Sequence, residues 1–109
     1  MDIDALEAML DRGQDGAMLR LTLGRAYRER GEMELAERHL GEAVRQKPDY
    51  AAAWKSLAQC QEAAGRDREA LASYRGGLES ARANGDMQLV KEMEVFSRRL
   101  ERRLDNAAE

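Results

Sequence analysis

Cysteine, proline, threonine, isoleucine, phenylalanine, tryptophan and histidine each occur once in the 109 residues. Each scarcity excludes something. A single cysteine, Cys60, cannot close an intramolecular disulfide, and nothing reads as a signal peptide, so a reducing cytoplasmic setting is expected. With valine scarce as well and no clean period-two alternation, no sheet is expected. No apolar run approaches the length of a membrane span. A Gly-rich turn running into Lys-Ser or Lys-Thr is missing, so Gly13–Gly16 and Gly76-Gly77 are not phosphate loops. His39 has no second ligand at metal-binding spacing, and Cys60 has no close cationic helper. No metal, cofactor or enzymatic activity is expected.

What is abundant points one way. Ala, Leu, Glu, Arg, Gln and Met dominate, and all are good helix formers. Charged residues make up 36% of the chain and aromatics 5%, which suits narrow apolar stripes on heavily solvated helices. With 18 basic and 21 acidic side chains the net charge is −3, too balanced for nucleic acid or membrane to be the main partner. A chain this short buries only about 60–70% of its unfolded surface, so no core position is spare.

Along the chain the apolar spacing predicts six helices. The first spans about 2–12, with Ile3, Leu6, Met9 and Leu10 on one side. The second spans Gly16 to Arg30, with Asp15 as N-cap and Gly31 as left-handed C-cap. The third runs from Met33 to Gln46, and Pro48 forbids its continuation. The fourth spans Tyr50 to Ala64, capped by Asp49 and stopped by Gly65. The fifth spans Asp67 to Ala83, before an Asn84-Gly85 turn. Asp86 caps the last, whose stripe is Leu89, Met93, Phe96, Leu100 and Leu104; residues 106–109 are expected to fray. Gly77 fits a close helix contact, while Gly41 and Gly76 have no evident reason in the sequence.

The pattern repeats at a spacing of 34: Asp15/Asp49, Ala17/Ala51, Leu23/Leu57, Gly31/Gly65, Ala36/Ala70 and Leu40/Tyr74. This period, with helix–turn–helix units and this residue order, resembles the tetratricopeptide repeat. The first unit keeps Leu23, Gly24, Tyr27, Gly31, Ala36, Leu40, Ala43 and Pro48, with Arg20 where tryptophan is usual. The second keeps Trp54, Leu57, Ala58, Gly65, Ala70 and Tyr74, with Gln61 replacing the tyrosine and Arg82 the proline. The resemblance implies an all-α, right-handed superhelix of antiparallel helix pairs. Residues 1–109 form one unit: an N-terminal packing helix (1–14) as a half-repeat, repeats at 17–50 and 51–84, and a capping helix (86–105). One inserted residue before the cap is expected to bring Leu89, Met93 and Phe96 into the packing positions. Trp54 is expected to be largely buried between the repeats.

The same resemblance implies protein or peptide binding along the concave face lined by the first helix of each repeat. There it places Met18, Leu21, Thr22, Arg25 and Arg28, then Ala52, Lys55, Ser56, Gln59 and Glu62. The binding residues singled out are Met18, Leu21, Arg25, Arg28, Lys55, Gln59 and Glu62, and their basic members suit an acidic segment or a free C-terminal carboxylate. The family's chaperone-binding members carry a Lys and an Asn four apart where this chain has Leu21 and Arg25, so that clamp is missing. Lys91, Val95, Arg98 and Arg102 form an outer face on the last helix, with Arg99 and Arg103 beside it. The chain is expected to be a monomeric adaptor. The alternative is a structural unit self-associating weakly through its end helices.

Overall fold

The computed structural model describes residues 2–108. Every regular element among them is a helix: α1 (Ile3–Asp11), α2 (Ala17–Glu29), α3 (Met33–Gln46), α4 (Ala51–Ala63), α5 (Asp67–Ala83) and α6 (Met87–Ala108). Each packs chiefly on its neighbour in sequence, and α2 also touches α4 across α3. The result is an elongated layered array, 49 × 30 × 20 Å. Residues 106–108, expected to fray, continue α6, as two successive alanines favour; Glu109 lies outside the described residues.

Glycine sets the turns. Gly31 and Gly65 have φ of +79° and +78°, the left-handed conformation that costs glycine least. The next residue's N–H then reaches back to the last helical turn: Glu32 to the Tyr27 carbonyl and Arg66 to the Gln61 carbonyl, both at 2.9 Å. The turns after α1 and α5 share this bond, from Gln14 to Met9 and from Asp86 to Ala81. Where glycine is missing, after α3, Pro48 ends the helix.

Two expected N-caps are corrected. Gly16, not Asp15, occupies the N-cap of α2. The Asp15 carboxylate instead receives Arg20 Nε and Nη2, each at 2.8 Å, and Gln46 Nε2 at 2.8 Å. A bidentate guanidinium is a stronger partner than a helix N–H, and it drives the Asp15 carboxyl far below its ordinary range. Asp49 likewise faces Lys47, at 3.4 Å, rather than capping α4. Asp86 does cap α6, accepting from Leu89 N–H at 3.2 Å.

The core alternates large and small residues as the repeat requires. Leu23, Ala36, Leu40, Ala43, Ala53, Leu57 and Cys60 form the first cluster; Ala58, Ala70, Tyr74, Met93 and Leu100 form the second. Trp54 bridges them, short of full burial but largely enclosed between the two repeats, as expected. Its indole N–H donates to the Pro48 carbonyl at 2.7 Å, which holds one ring edge at the surface. The ring lies over Gly76, where a side chain's Cβ would come within 3.2 Å of it. Gly77 is more tightly enclosed, against Met93 and the Trp54 Cβ.

The two repeats fill equivalent places by different means. In the first, Tyr27 stacks on His39 with ring centroids 5.4 Å apart, and Tyr27 OH donates to Glu7 at 2.8 Å. In the second, Gln61 and Ser73 stand 34 residues later, and Ser73 OH donates to Gln61 Oε1 at 2.6 Å. Arg20 takes the place that Trp54 holds in the second unit, and its Nη1 sits 3.1 Å from His39 Nδ1. The 34-residue offset holds from α2 to α4 and from α3 to α5. It then lengthens, because α5 has 17 residues against 14 in α3 and α6 starts 36 residues after α4. The lengthening exceeds the one residue expected and turns the α6 stripe, so Val90, Met93, Ser97 and Leu100 are buried while Leu89, Phe96 and Leu104 lie at its edges.

Candidate functional site

The even-numbered helices share one face, linked by side chains that cross between them. From α2, Arg25 Nε reaches Ser56 Oγ at 3.4 Å, and Arg28 donates to Gln59 Oε1 on α4. From α4, Lys55 Nζ meets Glu92 Oε1 on α6 at 2.7 Å and lies over the Phe96 ring at 5.9 Å. Farther along, Glu62 collects three donors. Tyr74 OH donates at 3.0 Å, Arg99 Nη2 at 2.9 Å and Arg103 Nη2 at 3.0 Å. Arg103 also takes Asp67, with Nε to Oδ2 at 2.8 Å.

Five of the seven residues singled out therefore meet on this face: Arg25, Arg28, Lys55, Gln59 and Glu62. Met18 stands apart, 74% exposed at the start of α2. Leu21 is corrected: at 5% exposure it belongs to the core cluster with Ala53 and Leu57, because the side of α2 leaning on α4 takes it inward. Ser56 is also buried, and only its hydroxyl reaches Arg25.

The sequence reading missed Glu92, Phe96, Arg99 and Arg103 as members of this face. It set Arg99 and Arg103 beside the outer surface of α6, whereas both turn inward to Glu62. The signal was present. Phe96, Arg99 and Arg103 recur at i, i+3 and i+7, one stripe of a helix.

A cleft of about 650 Å³ lies at this end, lined by Gln59, Glu62, Asp67, Tyr74, Phe96, Arg99 and Arg103 among others. Its electrostatics are set by Glu62. Burial pushes its carboxyl upward, but hydrogen bonds from Arg103 and Tyr74 and the Arg99 charge outweigh that and hold it below its ordinary value. Burial first, and then the Glu62 charge, push the Tyr74 phenol well up, so it remains a donor. Arg25 and Arg28 meet neutral partners; among the described residues neither has a carboxylate within ion-pair distance. The face is thus basic toward α2 and internally paired toward α6.

The single cysteine and the single histidine both lie in the packed interior. Cys60 is buried, which raises its thiol pKa and disfavours the reactive thiolate. His39 is buried against Tyr27, Arg20 and Glu7. Among the described residues no three His, Cys, Asp or Glu side chains converge as a metal site requires, and no helix is long and apolar enough to cross a membrane.

This arrangement agrees with what is similar to it. A family model described as tetratricopeptide repeat matches residues 21–86. A TPR repeat-containing protein of Pseudomonas aeruginosa is 44% identical over 102 residues, 94% of this chain and 97% of the relative. A solution structure of a Bordetella parapertussis protein superposes with a TM-score of 0.79 at 40% identity, covering 94% of this chain and 90% of that one. A tetratricopeptide repeat domain protein from Salinibacter ruber shares the fold, at a TM-score of 0.75 and 23% identity over 80% of this chain and 88% of that one. With the helix pairs, the glycine-stopped turns and the 34-residue offset already in place, these matches show that the chain belongs to the tetratricopeptide repeat family.

Proposed function

We propose that this protein is a non-catalytic adaptor that binds an acidic peptide or protein segment along the face shared by α2, α4 and α6. Repeats of this family are generally protein–protein interaction modules and generally non-catalytic. In the proposed organisation, repeats 17–50 and 51–84 stand between an N-terminal half-repeat and a C-terminal cap. The observation that carries the reading is the pair Arg25 and Arg28. Their guanidinium groups are anchored by Ser56 and Gln59 yet keep their charge, so they are positioned and still attractive to a carboxylate. Lys55, Gln59 and the Arg99–Glu62–Arg103 cluster extend the surface, and Phe96 offers apolar contact. The proposed setting is the cytoplasm, where Cys60 stays a thiol.

The test is fluorescence anisotropy of a labelled Glu- and Leu-rich peptide with a free C-terminus, titrated with the wild type and with Arg25→Glu/Arg28→Glu. Lys55→Glu is a poorer probe, since it sets a carboxylate against Glu92. We expect the double variant to keep its helical spectrum and to lose at least about tenfold in affinity, with wild-type binding falling as salt rises. Equal binding by both proteins removes this face from consideration.

A further inference from the structure

The two end helices leave complementary faces uncovered. Among the described residues α1 packs chiefly on α2 and α6 chiefly on α5, each with its opposite side exposed. In position α1 is the second helix of a pair and α6 the first. Their uncovered faces also differ in charge. On α1, Asp4 and Asp11 are exposed and Ala8 lies partly exposed between them, while Ile3, Leu6 and Leu10 turn into the core. On α6, Lys91, Arg98 and Arg102 are exposed around Val95, which is 54% exposed. Among the described residues, none of these five charged groups has an ion-pair partner. Three of the four carboxylates along α6 lie off this stripe, and the fourth, Asp105, continues it one turn past Arg102. Glu92, Glu94 and Glu101 face Lys55, Arg82 and Arg75.

The spacings match. Asp4, Ala8 and Asp11 recur at i, i+4 and i+7, as do Lys91, Val95 and Arg98. Both stripes set two like charges about 10.5 Å apart with a small or apolar residue between them. Laid antiparallel, as the helices of one pair are, Lys91 meets Asp11, Val95 meets Ala8 and Arg98 meets Asp4. Arg102 then falls toward Asp2, beyond the start of α1. Arg12, beside Asp11, and Asp105, near the end of α6, are the exposed opposing charges at the edges of this contact.

We propose that the partner of α6 is α1 of a second copy of this chain, so that the cap of one molecule and the half-repeat of the next complete one helix pair. The contact is head-to-tail: each copy keeps one free α1 and one free α6, and association does not stop at two. The apolar part is small, Val95 against Ala8, so the contact depends on charge and weakens as salt rises.

Sedimentation of the full chain across concentration, at low and high salt, tests this together with three variants. At low salt the wild-type average mass should keep climbing past that of a dimer as concentration rises, and at high salt it should return to that of one chain. Lys91→Glu/Arg98→Glu and Asp4→Lys/Asp11→Lys should each stay monomeric at concentrations about tenfold above those at which the wild type associates, with unchanged helical spectra, because all four residues are exposed. Mixing the two variants should restore association, and the fourfold variant carrying both changes should associate by itself. A wild type that remains monomeric at low salt up to its solubility limit overturns the proposal. So does association that plateaus at two copies, or that survives either reversal alone.

Discussion

Gly41 and Gly77 both lie inside helices, yet their surroundings are opposite. A Cβ built on Gly41 meets nothing within 4 Å, whereas on Gly77 it would lie 2.1 Å from Met93 Cε and 2.9 Å from Trp54 Cβ. The thioether end of Met93 can swing away, but Trp54 is held by its bond to Pro48 and cannot retreat cheaply. Gly41→Ala should therefore stabilise the protein by about 0.5–1 kcal/mol, the ordinary gain of alanine within a helix. Gly77→Ala should destabilise it by about 1–3 kcal/mol, as overpacking does. Paired urea melts check both signs. The contrast also marks how far single residues were legible in the sequence. The close contact at Gly77 follows from the repeat pattern. Gly76 does not, because its reason is a ring from another helix. Leu21 misled for a related cause: its periodicity fits either side of α2, and only the lean of α2 on α4 decides.

Helices were more legible than their caps. The apolar periods locate all six, and glycine and proline end them where expected. Asp15 and Asp49 failed as caps because a cap is a local contest, and in each case a cation close by won it. α6 was the least legible element, since its rotation depends on the extra length of α5. Its cross-links to α4 make it the element most sensitive to one distant residue. Glu62→Ala would remove the common acceptor of Tyr74, Arg99 and Arg103 while leaving the α5–α6 apolar contact intact. Partly exposed charge-assisted bonds of this kind should be worth about 1–2 kcal/mol together. Hydrogen exchange should show roughly tenfold faster opening over the second half of α6, with α2 and α3 unchanged. Equal acceleration in every helix would mean that Glu62 supports the whole array rather than the attachment of α6.

Across the whole molecule, acid stability should fall in two separate windows. His39 lies where α1, α2 and α3 meet, and burial lowers its pKa below 6.5, with the Arg20 and Arg38 charges acting in the same direction against the pull of Glu7. Below pH 6.5 the unfolded chain takes up a proton that the folded one resists, so unfolding binds protons and stability drops as pH falls toward the folded value. The carboxylates act later. Asp15 is held far down by Arg20 and Gln46, and Glu42 is held at about 2 by Arg45 and Gln46, so their contribution is intact above the ordinary carboxylate range and is lost below it. Thermal midpoints measured between pH 7 and pH 5 should decline for the wild type and stay nearly flat for His39→Gln. A decline that persists in the variant would assign this window to another group. The same stacking of each helix on its neighbour in sequence has a consequence for synthesis. Because most contacts join segments close along the chain, few long loops must close before packing begins, and folding should finish within milliseconds. Translation delivers only about 5–20 residues per second, so each new helix should dock on the one before it while the rest of the chain is still being made.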